Sequence, residues 1–312
     1  MTPIGPRDAL VEPRFANIST FARLPRADQV DRVDIAILGV PFDAGVSYRP
    51  GARFGPHAIR AGSQLLRPFD PGLGIAPFGR LQVADAGDLA VTPFSIPDAI
   101  AAIEEGARAH QGSRLVALGG DHTIALPLIR AVAARTGPVA LIHLDAHLDT
   151  WDTYFDAPYT HGTPFRRAFE EGLLLEDVSV HVGTRGPLYA PGDLDDDARF
   201  GFRILSAEDL MALGPDRAAA IIKERVQGHP AYLSIDIDVL DPAHAPGTGT
   251  PEAGGPSSRE ILRLLRQLAG IALAGADLVE VAPSYDHAEI TAIAASHLVY
   301  TMIGLMALAP GS

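Results

Sequence analysis

The sequence predicts an α/β protein, a three-layer αβα sandwich around a mostly parallel sheet of about eight strands. Three observations carry that prediction. Short apolar runs alternate with helix-period segments along most of the chain. The strongest runs, Val33–Val40 (VDIAILGV) and Val139–Leu144, are apolar almost throughout rather than at alternate positions, as strands covered on both faces must be. The side chains with metal or acid–base chemistry fall just after strand ends, on the edge where parallel sheets build their sites. No repeat or linker interrupts residues 33–312, which read as one domain behind an irregular Pro- and Arg-rich arm at 1–32.

The elements follow in order. After the first strand, Pro41 to Ser63 carries repeated Gly and Pro and is expected to loop, with a short helix near Pro56–Ala61. Leu81–Ala84 is the second strand. Pro97–His110 has helical spacing, and Arg114–Leu118 is the third strand, ending in Gly119-Gly-Asp-His122 before a helix to about Arg135. Val139–Leu144 is the fourth strand. Thr163–Glu171 reads as a helix, Val178–Val182 as the fifth strand, and the charge run Asp193-Leu-Asp-Asp-Asp197 as a solvated loop. Phe202–Leu205 is a short sixth strand. Ser206 and Asp209 suit a helix start, and Asp216–Val226 is helical. Ala231–Ile235 is the seventh strand. Ser257 and Glu260 have capping-box spacing ahead of a helix to about Leu268, and Ile271–Val281 is the eighth strand. Ile290–Ala309 is apolar on most sides and lacks flanking basic residues, which marks a core helix rather than a membrane span.

Composition narrows the function. A net charge of −13 disfavours a phosphate backbone as partner and suits a small cationic one. The absence of cysteine removes disulfides, thiolate metal sites and Cys nucleophiles together. With no apolar leader after Met1, the expectation is a reducing, cytoplasmic setting without membrane attachment.

Asp145, His147 and Asp149 leave the fourth strand two residues apart, so in extended chain they share one side. Taken alone, such a triplet reads as a solvated loop. Its company changes that: His122 follows the third strand, Asp236 and Asp238 the seventh, and Glu280 ends the eighth. Four carboxylates and two imidazoles (His122, Asp145, His147, Asp149, Asp236, Asp238) exceed a closed tetrahedral zinc site and suit a harder divalent ion such as manganese. Two such ions bridged by carboxylates sit roughly 3.5–4 Å apart and hold a hydroxide able to attack at neutral pH. Elsewhere, Asp121 and Asp241 read as turn or supporting groups and His181 as a satisfied core histidine. His57, His110, His229 and His244 have no motif company, and His287 and Glu252 fall near the site edge.

Gly119-Gly-Asp-His-Thr123, Asp145-Ala-His-Leu-Asp149 and Ser234-Ile-Asp-Ile-Asp-Val-Leu-Asp-Pro242 resemble the three metal motifs of the ureohydrolase (arginase/agmatinase) family. His161-Gly-Thr-Pro-Phe165, Pro246-Gly-Thr-Gly-Thr-Pro251 and Glu280-Val-Ala-Pro-Ser-Tyr-Asp286 extend the match, and Tyr285-Asp286 with the run around Trp151 is more similar to bacterial agmatinases. The resemblance implies an arginase-like fold and two Mn²⁺ per subunit. One would sit on His122, Asp145, Asp149 and Asp236, the other on Asp145, His147, Asp236 and Asp238, with Asp145 and Asp236 bridging. It implies that Glu280 orients the guanidinium and that His161 shuttles protons. It also implies a homo-oligomer, trimer or hexamer. The expected reaction is attack of a metal-bridging hydroxide on agmatine, giving urea and putrescine, a step of polyamine biosynthesis. Asp149 would relay the proton to the leaving amine.

Substrate choice rests on departures from arginases. Where those enzymes meet the α-carboxylate with Asn this chain has Trp151, and near their Asp for the α-amino group it has Leu188. Trp151 and Asp152 are therefore the candidate substrate-binding residues, with Asp156 or the Asp193–Asp197 run as further acidic partners for an amine. The same hydrolysis on 4-guanidinobutanoate would use Arg49, Arg53 or Arg185 instead. Two readings of another class stay open: a metal-binding protein without turnover, and a deacetylase with a single zinc.

Overall fold

The computed structural model of the chain describes residues 2–309. Its strands are β1 (Ile35–Val40), β2 (Val83–Asp88), β3 (Arg114–Gly119), β4 (Ala140–Leu144), β5 (Val180–Val182), β6 (Arg203–Leu205), β7 (Ala231–Asp236) and β8 (Leu273–Val279). They form one sheet in the order β2-β1-β3-β8-β7-β4-β5-β6, with every neighbouring pair parallel. The helices are α1 (Gly55–Gly62), α2 (Pro77–Arg80), α3 (Ile96–Arg108), α4 (Ala125–Thr136), α5 (Pro164–Glu170), α6 (Gly192–Arg199), α7 (Ala207–Val226), α8 (Ser258–Gln267) and α9 (Ile290–Ala307).

The pleat sorts the strand residues between two cores, because successive side chains point to opposite faces. Ile35 and Ile37 of β1 pack on the side of α8 and α9 with Leu264, Leu298 and Ile303. Ala36 and Leu38 pack on the side of α3 and α4 with Ile103 and Leu128. The outcome is the expected αβα sandwich, its sheet wholly rather than mostly parallel. Helix α9 is long and apolar enough for a membrane span by length and composition, yet 83% of it is buried inside the chain.

Three expectations change, one loop and the bounds of two strands. The Asp193–Asp197 run is helix α6 rather than a solvated loop, and Asp197 is its one buried residue. An acidic, low-hydropathy helix hides from periodicity because a single position faces the core. The second strand runs on to Asp88, and the eighth is confined to Leu273–Val279. The N-terminal arm packs against the sheet: Phe21, Ala22 and Leu24 belong to its core, and Pro25 accepts the Asp85 N–H of edge strand β2 at 2.9 Å. Beneath this junction buried Arg60 forks to both Asp85 oxygens at 2.8 and 2.9 Å. Removing one partner of such a pair typically costs ~3–5 kcal/mol, because the other is left buried and charged.

Candidate metal centre

The four strands that carry the motif residues, β3, β8, β7 and β4, lie side by side at the middle of the sheet. Their ends deliver residues 122, 145–149, 236–238 and 280 to one crevice, although the segments are far apart in sequence.

At the end of β3, Gly120 takes φ +51°, and a Cβ there would stand 2.5 Å from the Val40 carbonyl oxygen, so only glycine fits the turn. Buried Asp121 accepts the N–H groups of Thr123 (3.0 Å) and Gly45 (2.7 Å) and ties the 41–47 loop to the site. Burial, then nearby Glu280, push its carboxyl up to about 7. His122 donates its Nε2–H to Ser234 Oγ (2.8 Å), which donates to Asp277 (2.6 Å), which also accepts the Tyr232 hydroxyl. That chain fixes the tautomer. It leaves Nδ1 buried and without a hydrogen-bond partner, facing Asp149 at 2.8, Asp145 at 3.3 and Asp236 at 3.5 Å.

Asp145, after β4, turns its two oxygens to two imidazoles: Oδ2 lies 3.3 Å from His122 Nδ1 and Oδ1 lies 3.2 Å from His147 Nδ1. His147 Nδ1 is also 3.2 Å from Asp238 Oδ2. At the end of β7, Asp236 accepts the Asp238 N–H at 2.8 Å through Oδ1, while its Oδ2 faces His122. Five of the six expected residues fall in two clusters that share Asp145, one with His122 and Asp149 and one with His147 and Asp238. Asp236, expected to bridge, stands beside the first, with Oδ2 3.5 Å from His122 Nδ1. His143 lies within reach of the first cluster. Both its nitrogens are engaged, one on Asp145 and one on His181, so it supports a ligand rather than being one.

The electrostatics call for cations. Asp145, Asp236 and Asp238 are all buried within one small space. Burial and the neighbouring carboxylates push Asp236 well above the usual range and raise Asp238 as well. Burial also opposes ionisation of Asp145, but His143, His122 and His147 hold it well below. Burying unpaired carboxylates costs several kcal/mol each. An oxygen-rich set with two imidazoles, one with an orphaned Nδ1, fits hard divalent ions.

Glu280 sits at φ +64° and Asp149 at φ +55°, left-handed positions that cost a non-glycine residue roughly 1–3 kcal/mol. Glu280 Oε1 accepts the His122 N–H (2.9 Å) and the His161 Nδ1–H (3.0 Å). Its Oε2 is buried without a partner. His161 Nε2 meets the Ser47 N–H at 3.1 Å and the Ser47 hydroxyl at 2.7 Å. Burial lowers His161, but Glu280 more than compensates and carries it up to about 9.

A cleft of about 510 Å³ opens over the cluster, with Ser47 and His161 on its inner wall and Trp151, Leu188 and Leu194 further along. The Trp151 indole lies against Gly162 and stacks on Tyr154 at 5.6 Å. Asp152 is not brought to this cleft. It is exposed and paired with Arg167 at 2.6 Å. Among the second-tier candidates, Asp241 caps the amides of Ala243, Gly254 and Gly255, and Glu252 lies 3.7 Å from His147 Nε2. Ser47, His143, Ser234 and Asp277 escape the sequence reading as site residues, and Asp197, read as part of a loop that could meet an amine, is instead buried behind the site. His143 and Ser234 each stand two residues before a ligand candidate on the same strand, so period two points to both. Ser47 and Asp277 carry no such mark.

The arginase family profile matches residues 33–304. The chain is 43% identical to a guanidinobutyrase from Pseudomonas aeruginosa over 93% of each chain. It is 42% identical to a mitochondrial agmatinase from Gallus gallus, over 93% of this chain and 86% of that one. The solved structure of proclavaminate amidino hydrolase from Streptomyces clavuligerus superposes with a TM-score of 0.91 at 41% identity, over 95% of this chain and 99% of that one. Fold, site geometry and these likenesses agree: the chain belongs to the arginase family.

Proposed function

We propose that this chain hydrolyses the guanidinium group of a small guanidino compound to urea and a primary amine, with two manganese ions held by His122, Asp145, His147, Asp149, Asp236 and Asp238. The observation that carries the reading is the pair of clusters joined through the two oxygens of Asp145, each mostly buried and open to the cleft at one member, with the orphaned Glu280 Oε2 beside them. When bound, the ions supply a water nucleophile at neutral pH and stabilise developing charge. The chain's own groups do the rest. A guanidinium is cationic and planar, so Glu280 Oε2 can accept its N–H groups in charge-assisted hydrogen bonds and fix the carbon over the centre. Asp149, on the cleft wall, can carry a proton to the departing amine. His161, between Glu280 and Ser47, can exchange a proton at Nε2 with the open cleft.

The distal end decides the substrate, and agmatine is our first reading. Of the acidic partners expected for its amine, Asp152 is paired with Arg167, Asp193 caps the amides of Tyr189 and Ala190, and Asp197 is buried. Besides the metal candidates Asp149 and Asp236, the acid that lines the cleft is Asp209, one of whose oxygens caps Ser206. The second reading is 4-guanidinobutanoate, supported by the guanidinobutyrase likeness and by Arg49. Arg185 is consumed by backbone carbonyls of residues 183, 238–240, 252 and 253, and Arg53 is paired with Asp43. Arg49 lies over Tyr48 and Tyr285, and no acidic partner faces it among the described residues. Urea release from a guanidino panel by manganese-loaded protein separates the two. Agmatine turned over fastest supports the first, and guanidinobutanoate turned over faster than agmatine refutes it.

A further inference from the structure

One line of buried polar groups leads away from the centre and takes no part in the chemistry above. His143 Nε2 lies 2.8 Å from Asp145 Oδ2, and His143 Nδ1 lies 2.7 Å from His181 Nδ1. His181 Nε2 faces Asp197 Oδ2 at 3.5 Å, and Asp197 Oδ1 accepts the Thr150 hydroxyl at 2.5 Å. The His143, His181, Asp145 and Asp197 side chains are fully buried.

With both imidazoles neutral, hydrogen-bond bookkeeping sets the direction of every link. As a metal-binding carboxylate, Asp145 only accepts, so His143 donates its Nε2–H and presents Nδ1 as an acceptor. The short contact to His181 then needs a hydrogen on His181 Nδ1, which leaves the neutral His181 bare at Nε2. That bare nitrogen and Asp197 Oδ2 both lack any hydrogen-bond partner, and they face each other. Two opposed lone pairs in a dry interior repel, and a single proton between them removes the conflict. His181 is a poor host for it, because burial and His143 hold the imidazole well below its ordinary range. Asp197 suits it better: burial carries the carboxyl up to about 7, against the Thr150 hydrogen bond.

The far end of the line is also the outer wall of the cleft. Helix α6 places Leu194 on the cleft and Asp193 under the Tyr189 turn, and Asp197 is its one buried residue. We propose that Asp197, as a neutral carboxylic acid, closes a hydrogen-bonded file through His181 and His143 that holds the bridging Asp145, tying helix α6 of the cleft wall to the metal centre. The three are positioning residues, since none touches a reacting atom. The proposal rests on the two-ion reading, and the experiment keeps their failures apart.

The test is calorimetric manganese titration of the metal-stripped full chain and three variants. Asp197→Asn keeps both links, its amide donating to His181 and accepting from Thr150, and is expected to bind manganese within about twofold of wild type. Asp197→Leu has similar bulk and no donor, and is expected to weaken manganese by about 10- to 100-fold, the usual effect of losing a group that orients a ligand. His181→Phe breaks the file at a strand instead of a helix and is expected to match Asp197→Leu, so a folding failure of either variant leaves the other to decide. Thermal melts of the metal-stripped proteins separate lost ligand positioning from lost fold. Wild-type affinity in Asp197→Leu or His181→Phe, or an Asp197→Asn as weak as Asp197→Leu, overturns the proposal. A wild type that binds no manganese overturns the two-ion reading beneath it.

Discussion

Glu280 shows what a single residue contributes. Its left-handed backbone is held by the N–H bond to the Gly120 carbonyl at 2.8 Å, and one carboxylate oxygen is fixed by two donors while the other is left open. A buried acceptor without a partner costs roughly 1–3 kcal/mol, so the fold holds that oxygen ready for a donor from outside. Glu280→Gln keeps the shape and the backbone strain and removes the charge. It is expected to lower kcat/KM for urea release by about 100-fold, or ~2.7 kcal/mol, with manganese stoichiometry unchanged. Activity within a few-fold of wild type would remove Glu280 from the site's chemistry. At this scale the sequence is a good guide to which side chains converge, because the ends of parallel strands share one edge and bring His122, Asp145, His147, Asp149 and Asp238 together there. It is a poor guide for Asp152: its place beside Trp151 suggests a cleft residue, but Arg167, fifteen positions along, draws it outward.

At the scale of elements, the alternation of strand and helix is legible because the central strands are buried on both faces and helices such as α3 and α8 on one. Helix α6 is illegible for the same reason, since Asp197 alone faces inward. The order of strands is also hidden: nothing in the 160-odd residues between Gly119 and Glu280 says that β8 lies beside β3. Close packing between loops is another feature that no pattern announces. A Cβ on Gly162 would stand 2.7 Å from Trp151 Cε3, so the indole lies where it does because residue 162 is glycine. Gly162→Ala is predicted to push the ring toward the cleft and raise KM for the guanidino substrate by about tenfold, leaving manganese affinity intact. Trp151→Leu in the same background should restore KM. An unchanged KM in Gly162→Ala would show that the indole does not shape the substrate path.

Across the whole molecule, a wholly parallel sheet concentrates chemistry on one edge, and two apolar layers pay for the charge placed there. The central strands carry buried carboxylates that the fold alone leaves poorly compensated, as the raised Asp236 and Asp238 show. Around them, supports reach the edge from both sides: the Ser234–Asp277–Tyr232 chain behind His122, and the His143–His181–Asp197 file behind Asp145. The central claim is that this edge is a two-ion centre that cleaves guanidinium groups. Titrating manganese into metal-stripped protein while following both bound metal and urea release tests it most directly. The expected result is activity that saturates at two ions per chain and is lost in Asp145→Ala. Two bound ions with no urea from any guanidino compound, or full activity with a single zinc, would contradict it.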